Sequence, residues 1–595
     1  MFTVHSLFPF VSRRGLRRGV PAVCAALLAA GCTSESLDGG GAGGSASGPE
    51  AWMTLSLTMP QQAAVRAGTP AGGEQGDGAE AGQQAENVIS RAVAFFYQGA
   101  AGANSPANTP ILDIADFSFA AGSGTDGTVP VDRTYTTQPQ SVSLEPGTYQ
   151  VLLIANPGAD WWSAPQGGTL TLGAVRDHIQ TSAWTTDDTG APADFVMTSE
   201  RDATVALNNN PRENPATATV YVERMAARVD YKAESSYTCT DAQYAGATVS
   251  IVGAALVNNL TAGSYVLKRV SPDAAASSVS YLGQETADAA TGAGTNYVID
   301  PYTTQKSDPD AVKPYYGTWY ADNAKPDADP TFWSGLTRPG TALDGADNAG
   351  YLRIGYTLEN TAAPADSAGR TGIVFRAQFA PQGVTGYTQG QTFFTYGGVI
   401  YASMERLMTA VYGTASPVEK TFTAGTDTWQ TVLDYATANL LPSDPSGYPD
   451  WLAEQADDKD LSTALTADEA ARLGWKAYMR AVCGYENTPE PGGADRVTIN
   501  LGDVNTRAVL RRTGGVRTYA DGQCYYTYWL RHAADGDNTK ASPMEYAVVR
   551  NNVYKVDVTS VYSLGGDVPG EDDHNLVIEV YVNDWRLLPT EQLPM

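Results

Sequence analysis

The sequence is poor in the residues that most catalytic and metal sites require. Of four histidines in 595 residues, only His178, His532 and His574 lie beyond residue 31, and none stands at metal-ligand spacing from a cysteine or another histidine. No Gly-x-Ser-x-Gly elbow, phosphate-binding loop or dinucleotide fingerprint stands where a strand pattern passes into a helix pattern. We therefore expect no enzyme, no metal site and no cofactor.

Cysteine is equally scarce. Cys24 and Cys32 lie close to the N-terminus, which leaves Cys239, Cys483 and Cys524 for the rest of the chain. An odd number of cysteines cannot all pair within one chain. Buried, unpaired thiols are the simpler expectation, so the fold should depend on its apolar core and not on disulfide bonds.

Positive charge is limited as well, with 38 Lys and Arg against 65 Asp and Glu, which gives a formal net charge of −27. A chain this acidic is a poor partner for nucleic acid. Charged residues make up only 17%, whereas 32 Tyr, 11 Trp, 60 Gly and 34 Pro favour aromatic strands joined by tight turns. The composition and length predict an exported all-β protein with two large domains.

The chain has no apolar run long enough to span a bilayer. The longest, Val20 to Ala30, covers about ten residues where a spanning helix needs about twenty. It follows four arginines and leads into Leu28-Ala29-Ala30-Gly31-Cys32, which is the order of a signal peptide with a lipobox. We predict that residues 1–31 are removed and that Cys32 carries the lipid that anchors the precursor to a membrane.

A single strand is predicted between two flexible segments near the new N-terminus. Residues 33–51 are rich in glycine and serine, and a run rich in Gly, Gln and Ala extends to Ala85 and is predicted to be disordered. Between them, apolar and small polar residues alternate from Met53 to Met59, with Met53, Leu55, Leu57 and Met59 on one face. This strand is either the first strand of a domain or a removable plug.

Strand patterns then divide the rest of the chain into two β-sandwich domains. The N-terminal domain, residues 67–231, ends with the strands Thr217 to Val222 and Ala227 to Tyr231. The C-terminal domain, residues 232–585, includes a strand from Thr392 to Glu405 and a helical insertion at residues 415–495. In that insertion, Thr466 and Glu469 form a capping box for a helix that runs to about Val482.

Several segments together identify a family resemblance. They are Trp52 to Pro60, Val65 to Gly68, Phe375 to Phe379, Val399 to Met404, Val548 to Tyr554 and Ile578 to Trp585. With these segments in this order, the chain resembles the fimbrilins of the Bacteroidales, and most closely the structural subunit of the short (minor) fimbria. The resemblance implies two transthyretin-like, Greek-key β-sandwiches and a role in a cell-surface fimbria that supports adhesion.

The resemblance also implies a route of assembly, which begins with a precursor anchored to the outer membrane by the lipid on Cys32. A trypsin-like, Arg-specific surface protease removes the first strand, and the emptied groove accepts a strand from another subunit. Arg66 is the candidate cleavage residue and Ala67 the candidate new N-terminus. The candidate donor strand is the tail 586–595, because Leu587, Pro589, Leu593 and Met595 share one face with only Glu591 between them. The implied partners are other copies of the chain, accessory fimbrial subunits, and host or bacterial surface ligands.

One alternative function remains open from the sequence. The aromatic pair Trp161-Trp162 follows a predicted strand, where it could stack on sugar rings, or could simply close the end of a core. In the first case the protein would be a monomeric, glycan-binding surface lipoprotein.

Overall fold

The structure of the chain is a computed structural model. It describes residues 51–59, 75–101, 105–126, 133–158, 162, 170–187, 191–281, 296–320, 335–337, 340–345, 348–361, 369–403, 406–407, 410, 420–439, 448–474, 477–478, 485–489, 495–499, 516–533, 544–567, 569 and 575–586. These described residues belong to one compact unit.

Strands dominate the described residues, which confirms the all-β class. In the first half of the chain they are β1 Ala51–Thr58, β2 Gln75–Ala81, β3 Arg91–Tyr97, β4 Asp113–Asp126, β5 Arg133–Thr137, β6 Gln140–Val142, β7 Gly147–Ala155, β8 Ile179–Gln180, β9 Thr185–Thr186, β10 Pro192–Ala193, β11 Met197–Ser199, β12 Ala203–Leu207, β13 Ala216–Arg224, β14 Ala226–Ala233, β15 Tyr237–Thr238 and β16 Thr248–Val257. The later strands are β17 Ser264–Tyr265, β18 Arg269–Ser271, β19 Ser280–Tyr281, β20 Tyr297–Val298, β21 Thr341–Ala342, β22 Leu352–Leu358, β23 Gly372–Ala380, β24 Phe393–Tyr396, β25 Val399–Tyr401, β26 Tyr485–Pro489, β27 Asp495–Ile499, β28 Arg517–Tyr519, β29 Gln523–Trp529, β30 Asn552–Val561 and β31 Leu576–Arg586.

Helices are short in the described residues. The α-helices are α1 Leu172–Asp177, α2 Pro309–Val312, α3 Trp429–Asn439, α4 Tyr448–Ala456 and α5 Ala467–Arg472, and the 3₁₀ turns are Gln84–Asn87, Ala242–Tyr244, Thr303–Gln305, Lys313–Tyr315 and Ala520–Gly522.

The N-terminal sandwich is built from strands that close on themselves. Its strand order is β11-β13-β1-β5-β4-β3-β7-β12, and β11 also pairs with β7, so the hydrogen-bonded path returns to its start. The long strand β4 pairs with β3 up to Ser118 and with β5 from Phe119 onward, and its pairing with β5 is irregular between Phe119 and Gly124. It therefore carries the chain from one sheet to the other, as corner strands of a sandwich do.

The C-terminal sandwich consists of a six-stranded sheet, β2-β31-β30-β14-β22-β21, and a four-stranded sheet, β15-β16-β23-β29. Alternate residues of β14, β23 and β30 bury their side chains between the two sheets. Tyr231 and Phe375 meet edge to face across this core with ring centroids 5.9 Å apart. The described residues thus confirm the second predicted sandwich.

The chain passes from the first sandwich to the second earlier than the sequence indicated. Strand β13 ends at Arg224 and β14 begins at Ala226, and β14 pairs with β30 and β22 of the second sandwich. Ala227, Val229 and Tyr231 are accordingly in the second core. The expected boundary between residues 231 and 232 is therefore too late, because a strand pattern does not show which sheet the strand joins.

The run predicted to be disordered up to Ala85 contains an ordered strand. Residues Gln75–Ala81 form β2, which pairs in parallel with the end of β31, from Val582 to Arg586. The prediction of disorder is wrong for these residues. A Gly- and Gln-rich segment has little strand propensity of its own, but pairing with an existing sheet edge orders it. This segment, expected in the N-terminal domain, is part of the C-terminal sandwich.

The insertion is helical over only part of its predicted length. Helices α3, α4 and α5 share a separate core that includes Trp429, Val432 and Leu452. The capping box is confirmed, since the Glu469 amide donates to Thr466 Oγ1 (3.2 Å) and the Thr466 amide donates to Glu469 Oε2 (2.9 Å). Helix α5 ends at Arg472, because Gly474 follows the C-cap and disfavours continuation. Residues 477 and 478 are helical again, and the predicted helix end near Val482 lies outside the described residues. Strand β26 lies within residues 415–495, and its partner β27 begins at the last residue of that range.

The single strand predicted from Thr392 to Glu405 is a hairpin. Strands β24 and β25 are antiparallel, with Tyr396 opposite Val399. The two residues between them, Gly397 and Gly398, have φ of +54° and +79°. Two consecutive left-handed residues reverse the chain at no steric cost when both are glycines. The prediction of one continuous strand is wrong because it overlooked this glycine pair as a turn.

Cys239 and Cys524 form no disulfide and are buried in the second core, and Cys483 lies outside the described residues. Burial, with a smaller effect of Asp241, raises the pKa of Cys239 to about 11. Both thiols are thus packed among the apolar side chains of this core.

The buried histidine His532 should make the folded protein less stable in acid. Its ring is fully buried, Nδ1 lies 2.9 Å from the Tyr554 hydroxyl, and burial together with Lys268 lowers its pKa to about 3. The unfolded chain takes up this proton near pH 6.5 and the folded chain does not, so the stability it contributes is complete above pH 6.5 and is lost as pH falls below that value. Between pH 6.5 and pH 5 we expect a loss of about 2 kcal/mol in the free energy of unfolding.

The measurement is chemical unfolding at pH 7 and pH 5 of the wild type and of His532→Asn, which keeps a polar group near Tyr554 but cannot titrate. The variant should lose about 2 kcal/mol less than the wild type over this interval. Equal losses in both proteins would show that His532 is not the acid-sensitive group.

Candidate functional site

The predicted plug strand, β1, lies inside the N-terminal sandwich. On one side it pairs in parallel with β13, with Met53 opposite Ala216 and Leu57 opposite Val220. On the other side it is antiparallel to β6 around Met53 and to β5 around Leu57. Since β1 joins β13 to β5 and β6, its removal leaves edges of these three strands without partners and opens the closed strand path.

The side chains of β1 enter the core on one face. Met53, Leu55 and Leu57 are fully buried and Met59 is 3% exposed, whereas the opposite face, except Thr54, is half-buried. Burying one such side chain stabilises by about 1.5–3 kcal/mol, so the four together contribute roughly 6–12 kcal/mol before entropic costs. The structure brings these four predicted residues together, and they fill a groove that matches their alternation.

Backbone pairing on the β6 and β5 side of β1 is interrupted at its centre. There the Leu55 amide donates to the Thr137 hydroxyl (2.9 Å) instead of to a backbone carbonyl. On the β13 side, Thr54 Oγ1 and Thr217 Oγ1 are 3.0 Å apart. Strand β1 therefore lacks a complete ladder of backbone hydrogen bonds on the side of β6 and β5. The burial of its side chains accounts for a correspondingly larger share of what holds it in place.

Arg224, the last residue of β13, links the end of β1 to the chain that follows it. Its guanidinium lies 3.4 Å from the Met59 sulfur, and it donates to the Glu86 carbonyl (3.1 Å) and to Asn87 Oδ1 (2.7 Å). Complete burial lowers the pKa of Arg224 to about 9, although Glu86 opposes the shift. Loss of β1 would remove the Met59 contact and admit water to this cation, which relieves part of its desolvation cost.

A second buried arginine, Arg228 of β14, lies between carboxylates from three parts of the chain. It donates to Glu86 Oε2 (2.9 Å), to Asp230 Oδ2 (2.9 Å) and to Glu80 Oε1 (3.3 Å). Arg228, Glu86 and Asp230 have fully buried side chains. We call Glu80, Glu86, Arg228, Asp230 and Lys555 the clamp.

Glu80 connects β2 to this cluster. Its second oxygen accepts from Lys555 Nζ (3.0 Å), which also donates to Asn348 Oδ1 (2.9 Å). Glu80 lies on β2 and Glu86 on the 3₁₀ turn that follows, so both anchor the segment 75–87 to the C-terminal sandwich. This segment lies C-terminal to Arg66 and would remain with the subunit after cleavage there.

The clamp shifts the pKa values of Glu86 and Asp230 in opposite directions. Burial raises the pKa of Glu86, but Arg228, the Tyr356 hydroxyl and Arg224 outweigh it and leave the pKa below its usual range. Burial raises the pKa of Asp230 to about 6 against the attraction of Arg228, with Glu86 and Glu80 adding to the rise. Arg228 itself is held firmly protonated because the surrounding carboxylates outweigh its burial.

The sequence pattern concealed the clamp. In β14 the charged residues Arg228 and Asp230 alternate with Ala227, Val229 and Tyr231, a pattern that ordinarily indicates a solvated face. A covering segment, residues 75–87, turns that face into a buried one. The remaining predicted sites, Cys32, Arg66, Ala67, Leu587, Pro589, Leu593 and Met595, lie outside the described residues. Strand β31 ends at Arg586, directly before the predicted donor tail.

Other predicted chemistry has little counterpart in the described part of the chain. Trp162 is partly buried against the first core with the Arg91 guanidinium 5.4 Å from its ring centroid, and Trp161 is outside the described residues. Across the described ranges, no three His, Cys, Asp or Glu side chains are grouped to hold a metal ion. Among the described helices, none has the length and apolar character needed to cross a membrane.

The buried face of β1 predicts a stability difference between precursor and mature protein. Leu57→Ala should destabilise the uncleaved precursor by about 2–5 kcal/mol, because a fully buried leucine leaves a cavity between Val220 and Tyr135. Ser56→Ala, on the half-buried face, should change stability by less than about 0.5 kcal/mol. Chemical unfolding of the purified precursors measures both values.

The same variants separate the two interpretations of β1. If β1 is a removable plug, filaments assembled from Leu57→Ala subunits should resist denaturant as well as wild-type filaments, because residue 57 is absent from them. Filaments weakened as much as the precursor would show that β1 is a permanent strand of the domain.

The comparisons with known proteins concern first the C-terminal strands. Residues 517–590 match the family described as major fimbrial subunit protein type IV, fimbrillin, C-terminal. The match spans β28, β29, β30 and β31 and the first residues after them. This part of the chain is similar to fimbrillins, which confirms the resemblance identified from the sequence. No curated protein matches the chain.

Similar solved structures include three fimbrial proteins. A fimbrilin of Porphyromonas gingivalis has 12% identity and a TM-score of 0.33, covering 90% of this chain and 99% of its own. A C-terminally truncated tip fimbrial protein of the same organism has 8% identity and a TM-score of 0.29, with coverage of 90% and 100%. A fimbrial assembly protein of Parabacteroides distasonis has 11% identity and a TM-score of 0.24, with coverage of 56% and 85%.

Proposed function

We propose that the chain is the structural subunit of a cell-surface fimbria, exported as a lipoprotein through Cys32 and polymerised by strand exchange. One observation carries this proposal: β1 fills a groove in the N-terminal sandwich, and a single connecting segment, residues 60–74, separates it from the next described strand. The similarity of residues 517–590 to fimbrillins supports the same function.

Cleavage after Arg66 would convert β1 from a covalent part of the subunit into a dissociable peptide. As long as β1 is covalently joined, its effective concentration at the groove is high and other strands cannot compete. Once the connection is cut, a released β1 is diluted away. The groove then presents apolar walls and unpaired edges on β13, β5 and β6, which drive addition of another strand.

The incoming strand is proposed to be the tail 586–595 of a neighbouring subunit, which makes further copies of the chain its principal partner. The tail follows β31, a strand held between β30 and β2 in the C-terminal sandwich. Because β31 is paired on both sides, a donor tail bound in the groove of one subunit would hold the whole neighbouring subunit in place. Accessory fimbrial subunits and surface ligands are the further partners that this function implies.

The clamp would keep residues 75–87 bound to the C-terminal sandwich after cleavage. After cleavage, residues 67–74 become a free N-terminal end, and Glu80 and Glu86 keep the following segment docked on Arg228 and Lys555. The subunit thus loses β1 without loosening β2 from β31, the strand that leads into the donor tail.

Arg66→Ala tests the maturation step. The variant should be exported and folded but should keep residues 53–59 and form no filaments, whereas wild-type filaments should begin at Ala67. N-terminal sequencing of purified material and electron microscopy of the cells give the two readouts. Arg91→Ala is the matched control, because Arg91 is the first residue of the internal strand β3 and pairs with the exposed Asp116 (2.6 Å).

Wild-type filaments that retain residues 53–59, or normal filaments from Arg66→Ala, would contradict plug release. Filaments that persist unchanged on cells after deletion of the coding region would contradict the fimbrial role itself. The two results are therefore distinguishable.

A further inference from the structure

A pocket lies at the end of the C-terminal sandwich near its helical insertion. Two parts of the chain that are far apart in sequence form it: the 3₁₀ turn Ala242–Tyr244, and the stretch from the loop after β23 around Gln382 through the hairpin β24–β25 to Arg406. Its volume is about 540 Å³, within the range of roughly 300–1,000 Å³ typical of small-molecule sites. Gln243 Nε2 donates to the Gly398 carbonyl (2.5 Å) and ties the two parts together.

The charge of the pocket differs from that of the whole chain. Arg406 is among its lining residues, and no described aspartate or glutamate is. Asp241, two residues before Gln243, has both oxygens engaged, one by the Gln243 amide (2.9 Å) and one by the Ser563 hydroxyl (2.9 Å). In a chain with a net charge of −27, an arginine in a pocket lined by no described carboxylate locally favours an anionic group.

Glycines permit the polar side chains of this region to pack closely. A Cβ on Gly386 would lie 2.8 Å from an Arg406 guanidinium nitrogen, and a Cβ on Gly246 would lie 1.9 Å from Gln382 Oε1. Both glycines have φ of +80°, which other residues seldom adopt. The backbone therefore makes room for Arg406 and Gln382 at the pocket.

The other lining groups match a sugar ring better than a peptide. Tyr244 and Tyr401 are half-buried and present aromatic surface, and Gln243 and Gln382 are exposed amides that can both donate and accept. Sugar rings combine an apolar face with hydroxyl groups that need such amides. An extended peptide would instead be expected along a free strand edge or in a long groove, whereas the segments here form a short, partly open pocket.

We propose that this pocket binds an anionic saccharide, with Arg406 holding the carboxylate or sulfate of the sugar and the tyrosine and glutamine side chains contacting its ring. The site is separate from the β1 groove and does not depend on polymerisation. It would give each subunit its own contact with acidic surface glycans.

The test uses the full-length precursor, purified in detergent as a monomer, and three probes that share one core: lactose, 3′-sialyllactose and 3′-sulfolactose. Calorimetric titration should show at least one anionic probe binding about tenfold or more tighter than lactose. Arg406→Gln should reduce that binding at least about tenfold, and Arg406→Lys should retain part of it. Arg472→Gln, at an exposed arginine of α5, should bind like the wild type.

Comparison of the two anionic probes distinguishes a carboxylate from a sulfate as the recognised group. The proposal is overturned if no probe binds, if lactose binds as well as both anionic probes, or if Arg406→Gln binds like the wild type. It is also overturned if a peptide ending in glutamate competes as strongly as the anionic sugar. Unchanged thermal unfolding of Arg406→Gln, expected because Arg406 is exposed, shows that lost binding is not lost folding.

Discussion

Placing aspartate at both Leu587 and Leu593 should leave a folded, exported and cleaved subunit that does not polymerise. In the proposed junction these side chains occupy the groove vacated by β1, whose Leu55 and Leu57 are fully buried. Two carboxylates without partners in that environment cost several kcal/mol, and the two lost leucines cost about 1.5–3 kcal/mol each. We therefore expect the junction to fail as completely as deletion of residues 586–595.

The tail supplies its own matched control. Thr590→Asp with Gln592→Asp adds the same charge on the opposite face of the same strand, so polymerisation should persist. Filament length by electron microscopy and the resistance of filaments to detergent measure both variants. Wild-type filaments in the Leu587 and Leu593 double variant would show that the tail is not the donor and that another segment fills the groove.

Pro589 and Pro594 limit how the tail can pair, since each lacks a backbone donor. The groove does not require a complete ladder of backbone hydrogen bonds from the strand that fills it. In β1, the Leu55 amide donates to the Thr137 hydroxyl and not to a backbone carbonyl. Side-chain burial is thus expected to dominate the junction, which is why the prediction rests on leucine and not on backbone pairing.

Arg228→Met should be the most destabilising single substitution in the clamp. It leaves the fully buried carboxylates of Glu86 and Asp230, and that of Glu80, without their shared cation. Removing one partner of a buried ion pair typically costs 3–5 kcal/mol, roughly the same as or more than the loss of a buried leucine. Chemical unfolding of the precursor at pH 7 measures the loss.

The matched control is Arg472→Met, which breaks the exposed pair of Arg472 and Asp468 on α5 (2.9 Å). An exposed pair of this kind contributes at most about 0.5 kcal/mol. Hydrogen exchange of residues 75–87 gives a second readout, since their amides should exchange faster in Arg228→Met and normally in the control. Unchanged exchange would show that the clamp does not hold this segment.

Acid should partly rescue the Arg228 variant. The pKa of Asp230 is already raised to about 6 with Arg228 present, and loss of the cation raises it further. Protonation removes the uncompensated charge, so the gap between variant and wild type should narrow from pH 7 to pH 5. A gap that widens over this interval would mean that the damage is lost packing and not unpaired charge.

Local patterns determined much of what the structure contains. The alternation from Met53 to Met59 identifies the strand and its buried face, because a β-strand places successive side chains on opposite sides. The Thr466 and Glu469 spacing identifies a helix start, because the capping box closes within four residues. Each of these features is settled by groups close together in the chain, so the sequence alone was sufficient.

Contacts between distant residues decided the rest. Arg228 meets Glu86 across 142 residues and Lys555 meets Glu80 across 475, and neither strand pattern reveals its partner. The same cause explains why β2 is ordered, why β14 belongs to the second sandwich, and why β1 pairs in parallel with β13. A strand gains stability from the sheet edge and covering segment that it meets, and only the tertiary structure brings these together.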